Sequence, residues 1–180
     1  STMPDTEEVT DSLINAILEE AGKLIEGLVA PLNQSGDQEG CSLDKGAVTT
    51  PTGFKEAYAA WTEGGWSSLT GDVNYGGQGM PKVLSALIEE MTFGANSSFA
   101  LYTILTTGTT LALSQHANEE LRRTYLPKLY QGNWSGTMCL TEPQAGTDLS
   151  MINTKAIPDS NGSYLIKGTK IFITGGDHDL

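Results

Sequence analysis

Two short stretches of this 180-residue chain carry residue types suited to chemistry. Thr137-Met138-Cys139-Leu140-Thr141-Glu142-Pro143-Gln144-Ala145-Gly146-Thr147-Asp148 and Ile171-Phe172-Ile173-Thr174-Gly175-Gly176 each read as an extended run that breaks into a turn. The turns are rich in hydroxyl, glycine and acidic residues. Alternate residues of an extended chain share a face. Met138 and Leu140 then point one way and Cys139 and Thr141 the other, while Phe172 and Thr174 lie opposite Ile171 and Ile173. An aromatic ring offers a stacking or edge contact to a flat ring system, and a threonine hydroxyl can donate or accept a hydrogen bond at that ring's edge. Such a surface suits close approach of backbone to a planar ligand with polar edges. On these grounds alone, the same face could equally pack on another sheet or helix.

The elements that must position these stretches change character near Gly132. Before it the chain reads as helical. Thr6-Glu7-Glu8 offers a capped, acidic first turn. An apolar stripe from Val9 through Leu13, Ile17 and Leu24 to Leu28 then predicts a helix that Pro31 ends. Asn33 to Thr50 lacks periodicity and reads as a long surface loop. Phe54 to Glu63 predicts a short helix stopped by Gly64-Gly65, and Trp66 to Gly79 a loop. Lys82 to Phe93 and Ser98 to His116 follow as helices, the second apolar enough to be buried on most sides. Glu119 to Tyr125 is the last helix, with Pro127 interrupting it. After Gly132 the period becomes two. Strands are predicted at Trp134 to Leu140, Asn153 to Ile157, Ser163 to Lys167 and Lys170 to Thr174, the middle pair joined by an Asp159-Ser160-Asn161-Gly162 turn.

Composition narrows the function classes. The formal net charge is −12, and the ten basic residues are scattered, whereas a nucleic-acid surface needs a basic stripe. Two isolated cysteines, Cys41 in a loop and Cys139 in an apolar strand, make neither a disulfide framework nor a zinc site. Cys139 reads as a small buried apolar residue. No apolar run reaches transmembrane length and no leader pattern opens the chain, so a reduced, cytoplasmic protein is expected. Gly76-Gly77-Gln78-Gly79 lacks the dinucleotide spacing and a preceding strand, and reads as a loop covering the helices. Asp177-His178-Asp179 has metal-ligating types, but three consecutive residues do not converge easily on one ion. Trp61, Trp66 and Trp134 read as core anchors, and His116 as a helix-end charge.

The stretch from Met138 to Asp148 closely resembles the signature of acyl-CoA dehydrogenases, in which a strand ends in Thr-Glu-Pro followed by a variable residue, Ala, Gly, Ser or Thr, and Asp. Lys167 to Gly175 is similar to that family's second motif, an aromatic before Ile-Thr. Gly65-Trp66, Tyr75-Gly76-Gly77-Gln78-Gly79 and Tyr125-Leu126-Pro127-Lys128-Leu129 extend the likeness from about Phe54 onward. The resemblance implies an α+β chain: an N-terminal all-helical domain over 1–133, then the first strands of a truncated β-barrel-like middle domain over 134–180. The family's C-terminal helical domain, which supplies its glutamate base, is expected to be absent.

The resemblance further implies non-covalent FAD, with contacts to its ring from Met138, Leu140, Thr141, Phe172 and Thr174, and acyl-CoA contacts from Gly146 and Thr147. Thr141 would have to lie where the strand already turns toward Pro143. The implied reaction is α,β-dehydrogenation of an acyl-CoA thioester, with electron-transfer flavoprotein as acceptor and a homo-oligomeric full-length protein. Nothing places Glu142 at a substrate α-carbon. Asn96-Ser97-Ser98-Phe99 and Ile173 to Leu180 resemble a bacterial branch containing methylthiopropionyl-CoA and long-chain acyl-CoA dehydrogenases. An acyl-CoA oxidase or flavin monooxygenase of the same fold would share this front half. A non-catalytic helical interaction module is the reading from another class. The chain by itself is expected to hold flavin weakly, because contacts from one domain rarely retain a cofactor shared between domains.

Overall fold

A computed structural model describes residues 9–180. Helix α1 (Asp11–Leu24) starts where the Thr10 hydroxyl accepts from the Leu13 N–H at 3.2 Å. It continues into a π-helical turn over Ile25–Val29. The cap expected at Thr6-Glu7-Glu8 lies outside the described residues. Helix α2 (Leu32–Glu39) and a small hairpin, β1 (Ser42–Asp44) with β2 (Ala47–Thr49), occupy the stretch expected to be a loop. Two local facts explain the difference. Gly36 lies so close to the Phe54 ring that an added Cβ would collide with it, which lets α2 settle on the core. Lys45 and Gly46 both take positive φ (49° and 85°), the requirement of a tight hairpin turn.

Helix α3 (Phe54–Glu63) ends at Gly64, and Gly65 turns the chain with a φ of 73°. Helices α4 (Lys82–Ala95) and α5 (Ser97–His116) are separated only by Asn96. Asn96 accepts from the Phe99 N–H at 3.0 Å, capping α5, and donates to the Val29 carbonyl at 3.3 Å. This buried side chain thereby ties the start of α5 to the end of the first helix. Around it, Ala21, Ile25, Val29, Phe54, Trp61, Leu84, Ile88 and Phe99 form the core. Phe99 meets Phe54 and Trp61 edge-on, with ring centroids 6.0 and 6.1 Å apart, the arrangement aromatic quadrupoles prefer.

Helix α6 (Glu119–Tyr130) runs straight through Pro127 rather than ending before it. Proline in a helix interior costs about 3 kcal/mol. Burial of Leu126, Leu129 and Tyr130 against α5 and the loops before α4 outweighs that cost. Helix α5 is also less enclosed than its composition suggests. Phe99, Ala100, Thr106 and Thr110 are buried, while Leu101 and Leu111 face outward. Its threonines turn their hydroxyls back on carbonyls three or four residues earlier, so the polar atoms are satisfied without a partner element.

The helix-rich chain then passes to short strands, as the α+β reading expects. Strands β3 (Lys155–Pro158) and β4 (Tyr164–Lys167) form an antiparallel hairpin, Ile157 facing Leu165. Its turn carries Gly162 at a φ of 85°. No helix among the described residues is long and apolar enough to cross a membrane. Replacing Phe99 by Ala should destabilise the fold by about 3–5 kcal/mol, whereas Leu111→Ala should stay within about 1 kcal/mol. Urea unfolding followed by tryptophan fluorescence reads both.

Candidate functional site

The segment after α6 is anchored to the helices before it reaches the predicted site. Trp134 donates its backbone N–H to the Lys128 carbonyl at 3.2 Å. Its indole rests on Tyr125 under the Lys128 ammonium, 4.2 Å from the ring centroid. It is an exposed surface stack rather than a core anchor. Gly136 then runs directly over α5: its N–H meets the Thr106 hydroxyl at 3.1 Å, and any side chain there would collide with Thr109.

From Thr137 to Thr141 the chain lies beside Lys170 to Thr174. The Ile171 N–H donates to the Thr141 carbonyl at 3.0 Å, the Lys170 ammonium to the Leu140 carbonyl at 2.8 Å, and the Thr137 hydroxyl to the Thr174 carbonyl at 2.5 Å. With 141 opposite 171 and 137 opposite 174, the two segments form an antiparallel ribbon. Leu140 and Phe172 fall at neighbouring levels, as do Met138 and Thr174. All five residues expected at a planar ligand are thus gathered on one ribbon.

The ribbon is not the pair of strands expected at Trp134 to Leu140 and Lys170 to Thr174. Neither segment is a regular strand, and one backbone hydrogen bond joins them. The reason is Phe172, whose φ of 56° is left-handed. A bulky residue held there costs on the order of 1–3 kcal/mol, and it breaks the pleat on which strict alternation depends. The residues are nonetheless presented outward: Met138 is 61% exposed, Leu140 37% and Phe172 85%, with Thr174 also exposed and Thr141 partly covered. Cys139 is exposed too, not buried as its apolar setting suggested. Among the described residues, no backbone carbonyl accepts from the N–H groups of Met138, Cys139, Leu140 and Thr141. An aromatic ring, apolar side chains, hydroxyls and free amide donors on one ribbon fit a flat heteroaromatic group with polar edges.

Beyond the ribbon the chain is locked by one carboxylate. Glu142 and Ala145 exchange backbone hydrogen bonds at 3.0 Å in each direction, closing a turn around Pro143-Gln144. The Glu142 side chain, 3% exposed, accepts from the Lys170 ammonium (2.9 Å), the Gln144 amide (2.6 Å) and the backbone N–H groups of Asn153 (2.8 Å) and Thr154 (3.0 Å). The Lys170 bond, followed by the donors of Thr154 and Asn153, holds this carboxyl well below the usual carboxylate range. A carboxylate so saturated is a poor proton acceptor; it is a knot, not a base. Gly146 and Thr147 lie just past the knot, both exposed, with open space around Gly146. Asp148 caps the following 3-10 turn through Ser150. The structure therefore sets these two residues on the adjoining turn, not on the ribbon.

Three contributors escaped the sequence reading. Lys170 bridges the ribbon to the knot, and the only hint was an ammonium opening one predicted strand and a carboxylate just past the end of another. Asp179 accepts from the Thr50 N–H (2.9 Å), the Thr50 hydroxyl (2.7 Å) and the Lys55 ammonium (2.8 Å). His178 meets the Ser135 hydroxyl at 2.8 Å. Among the described residues no His, Cys, Asp or Glu cluster is placed to hold a metal. A separate cavity of about 260 Å³ opens between α4, α5 and α6, lined by Lys82, Thr107, Thr110, Ser114 and Tyr130. None of the predicted site residues reaches it.

Residues 15–133 match the family model described as acyl-CoA dehydrogenase, N-terminal domain, and residues 137–179 match that of the middle domain. The 3-methylmercaptopropionyl-CoA dehydrogenase of Ruegeria pomeroyi is 47% identical over 165 residues, covering 92% of this chain. A butyryl-CoA dehydrogenase of Syntrophomonas wolfei is 42% identical over 171 residues, covering 93%. The chain spans 28% of the length of each. Among solved structures, a Bacillus anthracis acyl-CoA dehydrogenase complexed with FAD superposes with a TM-score of 0.76 at 28% identity, over 94% of this chain and 28% of that one. Butyryl-CoA dehydrogenase from Megasphaera elsdenii gives 0.73 at 26% identity, over 93% and 42%.

The depressed Glu142 titration fixes the sign of an acid effect. Its stabilisation is full above its ordinary value of 4.5 and is lost as pH falls below it. Glu142→Gln should therefore melt below the wild type at pH 7, with the gap closing under acid. The amides of Asn153 and Thr154 should exchange faster in the variant while the helices keep their protection. Melting curves at several pH values and hydrogen exchange measure the two effects.

Proposed function

Because the chain belongs to the acyl-CoA dehydrogenase family, we propose that it supplies the N-terminal helical domain (1–133) and part of the middle domain (134–180) of an FAD-dependent acyl-CoA dehydrogenase. The observation that carries this reading is the outward-facing ribbon of Met138, Leu140, Thr141, Phe172 and Thr174, whose chemistry fits a flavin ring. Bound there, FAD supplies the two-electron acceptor for the hydride that leaves the substrate β-carbon as the α-proton is removed.

This chain's residues serve recognition. The Phe172 ring offers an apolar face and a positive edge to a flat ring. The hydroxyls of Thr141 and Thr174 and the free amides of Met138 to Thr141 are donors suited to ring-edge oxygen and nitrogen. Met138 and Leu140 shed water from the same surface, which strengthens those hydrogen bonds. Gly146 and Thr147, on an exposed turn with open space and a hydroxyl, suit the approach of an acyl-CoA. Glu142 keeps ribbon and turn in fixed relation and moves no proton.

By family likeness, the full-length protein acts in fatty-acid metabolism in the cytoplasm, assembles as a homo-oligomer and passes electrons to an electron-transfer flavoprotein. The relatives named for a methylmercaptopropionyl and a butyryl thioester put short-chain acyl-CoAs first among substrates to test.

In the full-length protein, a flavin absorbance band should bleach on anaerobic addition of one member of an acyl-CoA series. Thr174→Val should weaken FAD binding roughly five- to tenfold, the worth of one neutral hydrogen bond of about 1 kcal/mol, as read by flavin fluorescence titration. A protein without flavin, or whose flavin no thioester reduces, would sink this assignment.

A further inference from the structure

The Asp177-His178-Asp179 stretch has no part in the function described so far, yet His178 and Asp179 tie the end of the ribbon to Ser135, Thr50, α3 and α5. Asp179 gathers three donors on one carboxylate. Two come from Thr50, a buried residue, and one from Lys55, in the first turn of α3 beside the core residue Phe54. His178 accepts from the Leu180 N–H at its Nδ1 (3.2 Å). In the tautomer that lets Nδ1 accept, Nε2 carries the hydrogen and donates to the Ser135 hydroxyl at 2.8 Å. The same ring stands edge-on to Tyr102 of α5, with centroids 5.3 Å apart. Gly175 lets the chain slip past Tyr102: an added Cβ would lie 3.4 Å from that ring, at a φ of 61°. Only four residues separate Asp179 from Thr174, whose carbonyl is itself held by Thr137.

We propose that His178 and Asp179 form a latch, two positioning residues that fix the ribbon against α3 and α5 and thereby set the pose in which it meets a flavin ring. The inference rests on the flavin reading above. The physical reason is leverage. Ring-edge hydrogen bonds depend on donor position to a fraction of an ångström, and the ribbon has one backbone hydrogen bond of its own to resist displacement. Its other cross-links, from Lys170 and Thr137, join the two segments to each other rather than to the helices, and the latch clamps the ribbon at both segments. Ser135 holds the segment leading to Met138, and Asp179 holds the segment leaving Thr174. A carboxylate is required because its two oxygens serve Thr50 and Lys55 separately. Asparagine keeps an acceptor for Thr50 but turns a donor or nothing toward the Lys55 ammonium.

The test compares wild type, Asp179→Ala and Asp179→Asn in the full-length protein by FAD titration, by the position of the bound-flavin absorbance band and by hydrogen–deuterium exchange. Asp179→Ala should weaken FAD binding about tenfold or more, shift the band, and speed exchange in peptides covering 135–141 and 171–176 while leaving α1 and α4 unchanged. Asp179→Asn should recover part of the affinity and part of the band position. Unchanged ribbon exchange, acceleration spread evenly over all helices, or loosened ribbon peptides with wild-type affinity would each overturn the latch. If the wild type itself takes up no flavin, the functional reading fails first, an outcome seen before any variant is compared. A ribbon that still loosens in Asp179→Ala would then mark a purely structural tie.

Discussion

The buried Glu142 carboxylate is the constraint on which the second half of this molecule depends. It collects donors from three separate pieces of chain: its own turn, the segment entering β3, and Lys170 at the start of the second ribbon segment. Burying a charge is costly unless every lone pair is engaged, and here four donors engage them. The result is a crossing point where short, largely exposed segments are held by polar contacts rather than by an apolar core. The ribbon and the turn bearing Gly146 and Thr147 both leave from this point, so their separation is set by one side chain.

The helical part is organised by the opposite means. Edge-on aromatic packing around Phe99 and the two-way hydrogen bonding of Asn96 join α1, α4 and α5 without any buried charge. Threonines along α5 satisfy themselves on their own helix, which leaves that helix free to offer Thr106 and Tyr102 to the passing chain. The two halves meet through Thr50 and residues of α3, α5 and α6, with Leu180 packed against the helical core.

Local patterns made much of this legible. The Gly64-Gly65 stop marked the end of α3, apolar runs marked α4 and α5, and the Asn161-Gly162 pair marked the β3–β4 turn. What escaped depends on partners distant in sequence. Helix α2 exists because Gly36 fits under Phe54, and α6 survives Pro127 because Leu126, Leu129 and Tyr130 are buried. At the candidate site, the family resemblance named the ribbon residues, alternation agreed for all of them but Thr141, and neither announced their geometry. The left-handed Phe172 lies between residues 171 and 174, which bond to residues 141 and 137, and no local preference of phenylalanine announces it. The tasks of Asp179 and Lys170 were invisible for the same reason.

Phe172 also exposes a conflict between two kinds of fitness. Its left-handed backbone lies between hydrogen bonds on either side, so folding bears the strain, and on the proposed flavin reading recognition inherits a ring already aimed outward. Glycine at this position would relax the backbone by about 1 kcal/mol and delete the ring. Selection for thermal robustness alone would then drive the residue one way, and selection for ligand recognition the other. If the proposed flavin reading holds, position 172 is a place where a more durable protein is a less useful one.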